Sequence, residues 1–141
     1  MARIREIEDI LFQVEEHPVF ARVPWNEGAT WVEAPWRKAI VDMRSRRVVG
    51  MVGRNYRVVT NLEAIAWGFH ACMTAFPETD ITEWNLGHVN GPASGSWCSV
   101  DILHSTATLD FSFLEAGKRP EAYGPFVRVT NSYNGLRALS F

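Results

Sequence analysis

The feature that most constrains this chain is an amphipathic helix signal between Thr60 and Pro77. Thr60-Asn61-Leu62-Glu63 has the Ser/Thr-x-x-Glu form of a capping box, which satisfies N–H groups left free at a helix start. Leu62, Ile65, Ala66, Phe69, Met73 and Phe76 then form one apolar stripe. Pro77 stops the helix because it has no N–H and its ring clashes with the preceding turn. Gly68, inside the helix, costs about 1 kcal/mol relative to Ala. Close packing against a neighbour is the expected compensation. His70, off the stripe with Trp67, is expected to be a partly exposed polar residue.

Most of the remaining chain has β character. Lys38–Asp42 and Arg47–Val52 read as strands joined by Met43–Arg46, and Arg57–Val59 as a brief extended segment. Ile81–Val89 and Trp97–Leu103 are expected strands around an Asn90–Ser96 loop. Ala107, Leu109, Phe111 and Phe113 alternate with Thr106, Thr108, Asp110 and Ser112, the period of a half-buried strand. Leu114–Pro125 reads as a connection. In Phe126–Leu139 an Asn134-Gly135 pair lies between strand-like runs, which predicts a hairpin with a type I′ turn. Near the start, Ile4, Ile7, Ile10, Leu11 and Val14 recur at helical spacing and predict a short helix ending before Pro18. From Val19 to Trp36, prolines and Gly28 break the apolar runs, which suggests irregular chain or short edge strands. Trp25, Trp31 and Trp36 could stack on bases or sugars if exposed, but are expected in the core or as lids over it, as bulky aromatics usually are. The reading is one α+β domain over residues 1–141, a mostly antiparallel sheet packed against one long helix, Asn61–Phe76, with a short N-terminal helix.

A chain of 141 residues can bury a core without disulfides or metal. Cys72 and Cys98 lack metal or redox spacing and read as reduced buried thiols. No apolar run approaches the roughly 20 residues that span a bilayer. The charged stretch Met1–Asp9 lacks the apolar core of a secretory signal. Net charge is only −2, yet Arg37–Arg57 holds seven cations against one carboxylate, Asp42. Such a stretch is either an electrostatic footprint for nucleic acid or a solvated hairpin edge that resists strand pairing.

Two segments carry a resemblance. "VTNSYNGLRAL", around Asn131-Ser132-Tyr133-Asn134-Gly135, resembles an Asn-Ser-Tyr/His-Asp/Asn-Gly-Ser box that follows a strand in the phage/plasmid-like family called domain of unknown function 932. Val52–Ala64 resembles that family's V-(G/S)-x-x-Y-x-x-V-x-N-x-E box. The resemblance implies a phage, plasmid or mobile-element context in the cytoplasm of a prokaryotic host, and no specific activity. In the family further strands and an Arg-x-x-Cys-x-Asn segment follow the first box. The chain is accordingly expected to be a compact relative or the N-terminal part of that architecture.

Tests for chemistry assign no catalytic residue, cofactor or metal. There is no Walker loop, dinucleotide fingerprint, HExxH pair or GxSxG elbow. His88, Asp101 and His104 are read as an incidental set, not as metal ligands, and Cys98 as a buried thiol, not a nucleophile. The expected function is a non-enzymatic accessory protein associated with nucleic acid in replication, recombination or defence evasion. Its candidate contacts are Arg44, Arg46, Arg47, Arg54, Tyr56 and Arg57. The alternative is a protein-interaction module, a homo-oligomer or an inhibitor of a host protein. Asn131, Ser132, Tyr133 and Asn134 form a second, polar candidate group, whose side chains can equally serve neighbouring backbone. No membrane partner is expected.

Overall fold

A computed structural model describes residues 3–4, 7–105, 109–110, 122–123, 125–137 and 139–140. The fold is α+β, and every strand pairing among these residues is antiparallel. Strands β2 (Val14–Trp25), β3 (Gly28–Asp42) and β4 (Arg47–Gly53) form a meander in that order. After helix α1 (Asn61–Ala75), strands β5 (Trp84–Pro92), β6 (Trp97–His104) and β9 (Phe126–Ser132) form a second sheet, with β1 (Arg3–Ile4) on its edge in the order β1-β5-β6-β9. The small strands β7 (Leu109–Asp110) and β8 (Ala122–Tyr123) pair with each other. Most of the alternation expected over 106–113 lies outside the described residues.

The helix starts as its capping signal predicts, with Glu63 N–H donating to Thr60 Oγ1 at 3.1 Å. Its buried face is rotated from the expected stripe. Asn61, Ala64, Ile65, Gly68 and Cys72 are buried, whereas Leu62 is 64% exposed and Ala66 also faces outward. The cause is close approach of the helix to β6 and β9, which favours small residues on the contact line. A Cβ on Gly68 would meet Ile102 Cδ1 at 2.8 Å and overlap Val129 Cγ2. Ala64, Cys72, Trp84, Ile102 and Val129 form the core cluster there.

The expected N-terminal helix does not form. Ile7–Asp9 makes one 3-10 turn, and Val14 already belongs to β2. Ile10 and Phe12 are buried while Leu11 and Gln13 are exposed, so this segment runs with the period of an extended chain. Ile10 enters a cluster with Ile65, Val89, Cys98 and Val100, and Phe12 joins Ile40, Val49, Val52 and Tyr133. Two tertiary destinations on one side of the chain outweigh a weak local helical pattern.

Between residues 19 and 36 the chain is not irregular, nor are its strands short. It is a long two-stranded ribbon closed by a two-residue connection, with Trp25 paired to Gly28 and Asn26 at φ 52. The expected tight hairpin at Asn134-Gly135 is also overturned. Gly135 has φ 70 as a turn glycine should, but Asn134 is not among the positive-φ residues, so the type I′ geometry is absent. Among the described residues only Thr130 and Ser140 bridge across. Just past β9, Tyr133 N–H still donates to the Ser96 carbonyl at 2.8 Å, while its ring packs in the Phe12–Ile40–Val49–Val52 cluster.

Gly68→Ala tests the close helix–sheet contact. Alanine gains about 1 kcal/mol of helix propensity, but overpacking typically costs about 1–3 kcal/mol, and β-branched Val129 has little freedom to turn away. The variant should unfold at lower urea concentration than wild type. An unchanged or higher midpoint would show that the contact has slack.

Candidate functional site

The two polar segments singled out in the sequence meet inside the molecule. Asn131 Nδ2 donates to Asn61 Oδ1 and to the Val59 carbonyl, both at 2.9 Å. Asn61 Nδ2 donates to the Ile10 carbonyl at 2.9 Å, and Asn61 N–H donates to the Tyr133 hydroxyl at 2.9 Å. That N–H belongs to the first helical residue, one of the donors a helix leaves free. Ser132 Oγ donates to the Arg137 carbonyl at 2.8 Å, and Asn134 Oδ1 accepts from Leu136 N–H at 3.0 Å. Asn131, Ser132 and Tyr133 are buried. These residues form a structural joint, and only Asn134 presents itself near the surface.

The basic candidates do not form one patch. Arg44, Arg46 and Arg47 sit at the β3–β4 turn, whereas Arg54, Tyr56 and Arg57 follow the far end of β4. The seven residues of β4 separate them by roughly 20 Å of extended chain. Asp42 organises the turn: its Oδ1 accepts from Arg44 N–H at 2.8 Å and from Ser45 N–H at 3.3 Å, and its Oδ2 from Ser45 Oγ at 2.9 Å. Arg44 is engaged structurally, 3.7 Å from Asp42 Oδ2 and stacked over the Phe12 ring. Arg57 lies over Trp67. Arg46 and Arg47 are exposed and make no ion pair among the described residues.

An open cleft of about 290 Å³ lies where the β2–β3 register shifts between Pro18 and Phe20. Glu16, Glu33, Arg37, Lys38 and Arg54 line it. Its charges are mixed, and Lys38 Nζ already pairs with Glu16 Oε1 at 2.7 Å. The cleft therefore offers no uniform potential to a charged ligand.

The remaining chemical candidates disperse. Asp101 is held bidentately by Arg128, at 2.7 and 3.0 Å. His104 lies 3.6 Å from Glu83 and edge-on to Trp84, and His88 is exposed on β5. Burial pushes the Cys98 thiol up to about 12, so it is protonated at neutral pH and a poor nucleophile.

The feature that sequence reasoning misplaced is the outer part of the β2–β3 ribbon. Trp25, Trp31 and Trp36 are 67%, 65% and 68% exposed, not buried, and Phe20, Val23 and Val32 are exposed with them. Both ribbon faces are open to solvent along this length. The usable signal was Pro18 and Pro24 in one strand, which marks an edge. Comparison with known proteins returned no matching family, no matching curated protein and no matching solved structure.

The polar joint makes a direct prediction. Tyr133→Phe leaves the Asn61 N–H unpaired, and Asn131→Ala leaves the Asn61 and Val59 oxygens unpaired. Each should lower stability by about 1–3 kcal/mol, the usual cost of stranding a buried polar group. Chemical unfolding of both variants checks this; a loss within error of zero would mean water replaces the missing partner.

Stability should also fall in alkali. Burial raises Cys98 from 9.0 to about 12 and Tyr133 from 10.0 to about 12. Both groups are neutral when protonated, and the unfolded chain loses these protons first. Their stabilisation is therefore complete below about pH 9 and is lost as pH rises toward about 12. Urea midpoints measured across this range should decline, and Cys98→Ala should flatten the earliest part. A flat profile would contradict the burial of both groups.

Proposed function

We propose that this protein is a protein-interaction module whose contact element is the outer β2–β3 ribbon. The observation that supports this is the exposure of Trp25, Trp31 and Trp36, each about two-thirds open to solvent on an element with no covered face. Tryptophan is the residue type most enriched where binding energy concentrates in interfaces. Covering the open part of one such ring removes on the order of 100 Å² from water, about 2–3 kcal/mol at ~25 cal/mol per Å². Ribbon residues 19–36 carry Arg22 against Glu27 and Glu33, so this surface has no attraction for a phosphate backbone.

A second reading keeps nucleic acid as the partner, at the β3–β4 turn. Exposed Arg46 and Arg47, without an ion-pair partner among the described residues, favour it. The resemblance to domain of unknown function 932 supplies the phage, plasmid or mobile-element setting for either reading.

Affinity capture from a prokaryotic lysate, together with size-exclusion chromatography and light scattering, separates the two. Wild type should form a complex of fixed stoichiometry, with itself or a host protein. Trp25→Ser/Trp31→Ser/Trp36→Ser should lose that complex while keeping its circular dichroism. A monomer that captures the same proteins as the variant overturns the reading. Low-salt DNA binding abolished by Arg46→Glu/Arg47→Glu would install the second reading instead.

A further inference from the structure

The register of the ribbon places four exposed side chains in one quadrilateral. Phe20 pairs with Glu33 and Arg22 pairs with Trp31. Directly opposed residues in an antiparallel pair share a face, and so do residues two apart on a strand. Phe20 and Trp31 thus occupy one diagonal of this face, and Arg22 and Glu33 the other. All four are exposed, and neither Arg22 nor Glu33 makes an ion pair among the described residues.

Resting on the interaction-module reading, we propose that this face docks against the same face of a second copy of the chain. A two-fold axis along the Phe20–Trp31 diagonal keeps the two aromatics in place and carries Arg22 to within side-chain reach of the Glu33 position. Phe20 meets Phe20 and Trp31 meets Trp31 of the second copy. Arg22 falls over Glu33 of the other chain, and the symmetry forms that pair twice. Any other partner must supply a matching cation and carboxylate at opposite corners, whereas a second copy brings them in register. The face holds one cation and one carboxylate, so it carries no net charge to repel its copy. Docking runs face to face and not edge to edge. Pro18 and Pro24 lie on β2, the outer strand of its sheet, and lack the N–H groups that an added strand would need. Two aromatic side chains cover roughly 300 Å² per copy. That is below the standard interface of about 800 Å² per partner, so the association is reversible and depends on concentration.

Sedimentation velocity of the purified protein from low to high micromolar concentration tests this. The weight-average mass should rise from the 16.0 kDa of one chain toward twice that value. Arg22→Glu or Glu33→Arg alone sets like charges opposite each other and should weaken association by about tenfold. Arg22→Glu/Glu33→Arg together restores complementarity with reversed polarity and should recover most of the loss. Trp31→Ser, which changes no charge, should also weaken the dimer. A monomer at every concentration overturns the proposal, as does a dimer indifferent to both single charge changes and to Trp31→Ser. If the purified protein is monomeric but captures a host protein through its tryptophans, the dimer fails while the interaction-module reading stands. If neither association occurs, both fail.

Discussion

The fold depends on one buried amide contact, Asn131 Nδ2 to Asn61 Oδ1 at 2.9 Å. It joins the end of β9 to the first turn of the helix across seventy residues of sequence. The same two residues draw in the Val59 and Ile10 carbonyls, and the Tyr133 hydroxyl takes the Asn61 N–H. Helix start, last strand and N-terminal segment are thereby fixed at one point. A network of this kind strengthens in a low-dielectric interior only while every member is paired. Here each side-chain atom named has a partner, and together they tie three chain segments in one arrangement.

The Tyr133 ring extends this joint toward the other sheet. It packs with Phe12, Ile40, Val49 and Val52, which belong to the base of the β2–β3–β4 meander and the segment leading into it. Gly50 of β4 lies so close to the Tyr133 backbone that a Cβ there would overlap the Tyr133 carbonyl. The meander is therefore held at its base, where Ala39 and Ile40 are buried, and its outer ribbon receives no such cover. A free two-stranded ribbon is marginal in water. Here the anchored base supplies order to an arm that leaves its aromatic side chains available for contact.

Charge follows the same division between structure and surface. Within the basic stretch, Asp42 is almost fully buried and binds the backbone of the turn that carries Arg44, Arg46 and Arg47. Arg44 is held against Asp42 and Phe12. What looks in sequence like one cationic patch is a turn organised by its single carboxylate, with two exposed arginines beside it that make no ion pair among the described residues, and a separate pair at the far end of β4.

Local chemistry in the sequence determined the helix start at Thr60, the turn between Asp42 and Arg47, the strand Trp97–Leu103, the burial of both cysteines and the positive φ of Gly135. Each rests on neighbours in the chain or on a side-chain type with one strong preference. Tertiary structure alone decided the rest. Ile10 and Phe12 are extended because two separate clusters claim them, and the helix turns its small residues inward because β6 and β9 approach closely. Asn134 does not take the positive φ of a type I′ turn, and the Tyr133 ring and hydroxyl before it find partners far away in sequence. The tryptophans of the ribbon are exposed because no buried cluster among the described residues reaches past the base of the meander. Residue type records how much a side chain gains by burial, but whether a covering surface arrives is settled by the packing of segments distant in the chain.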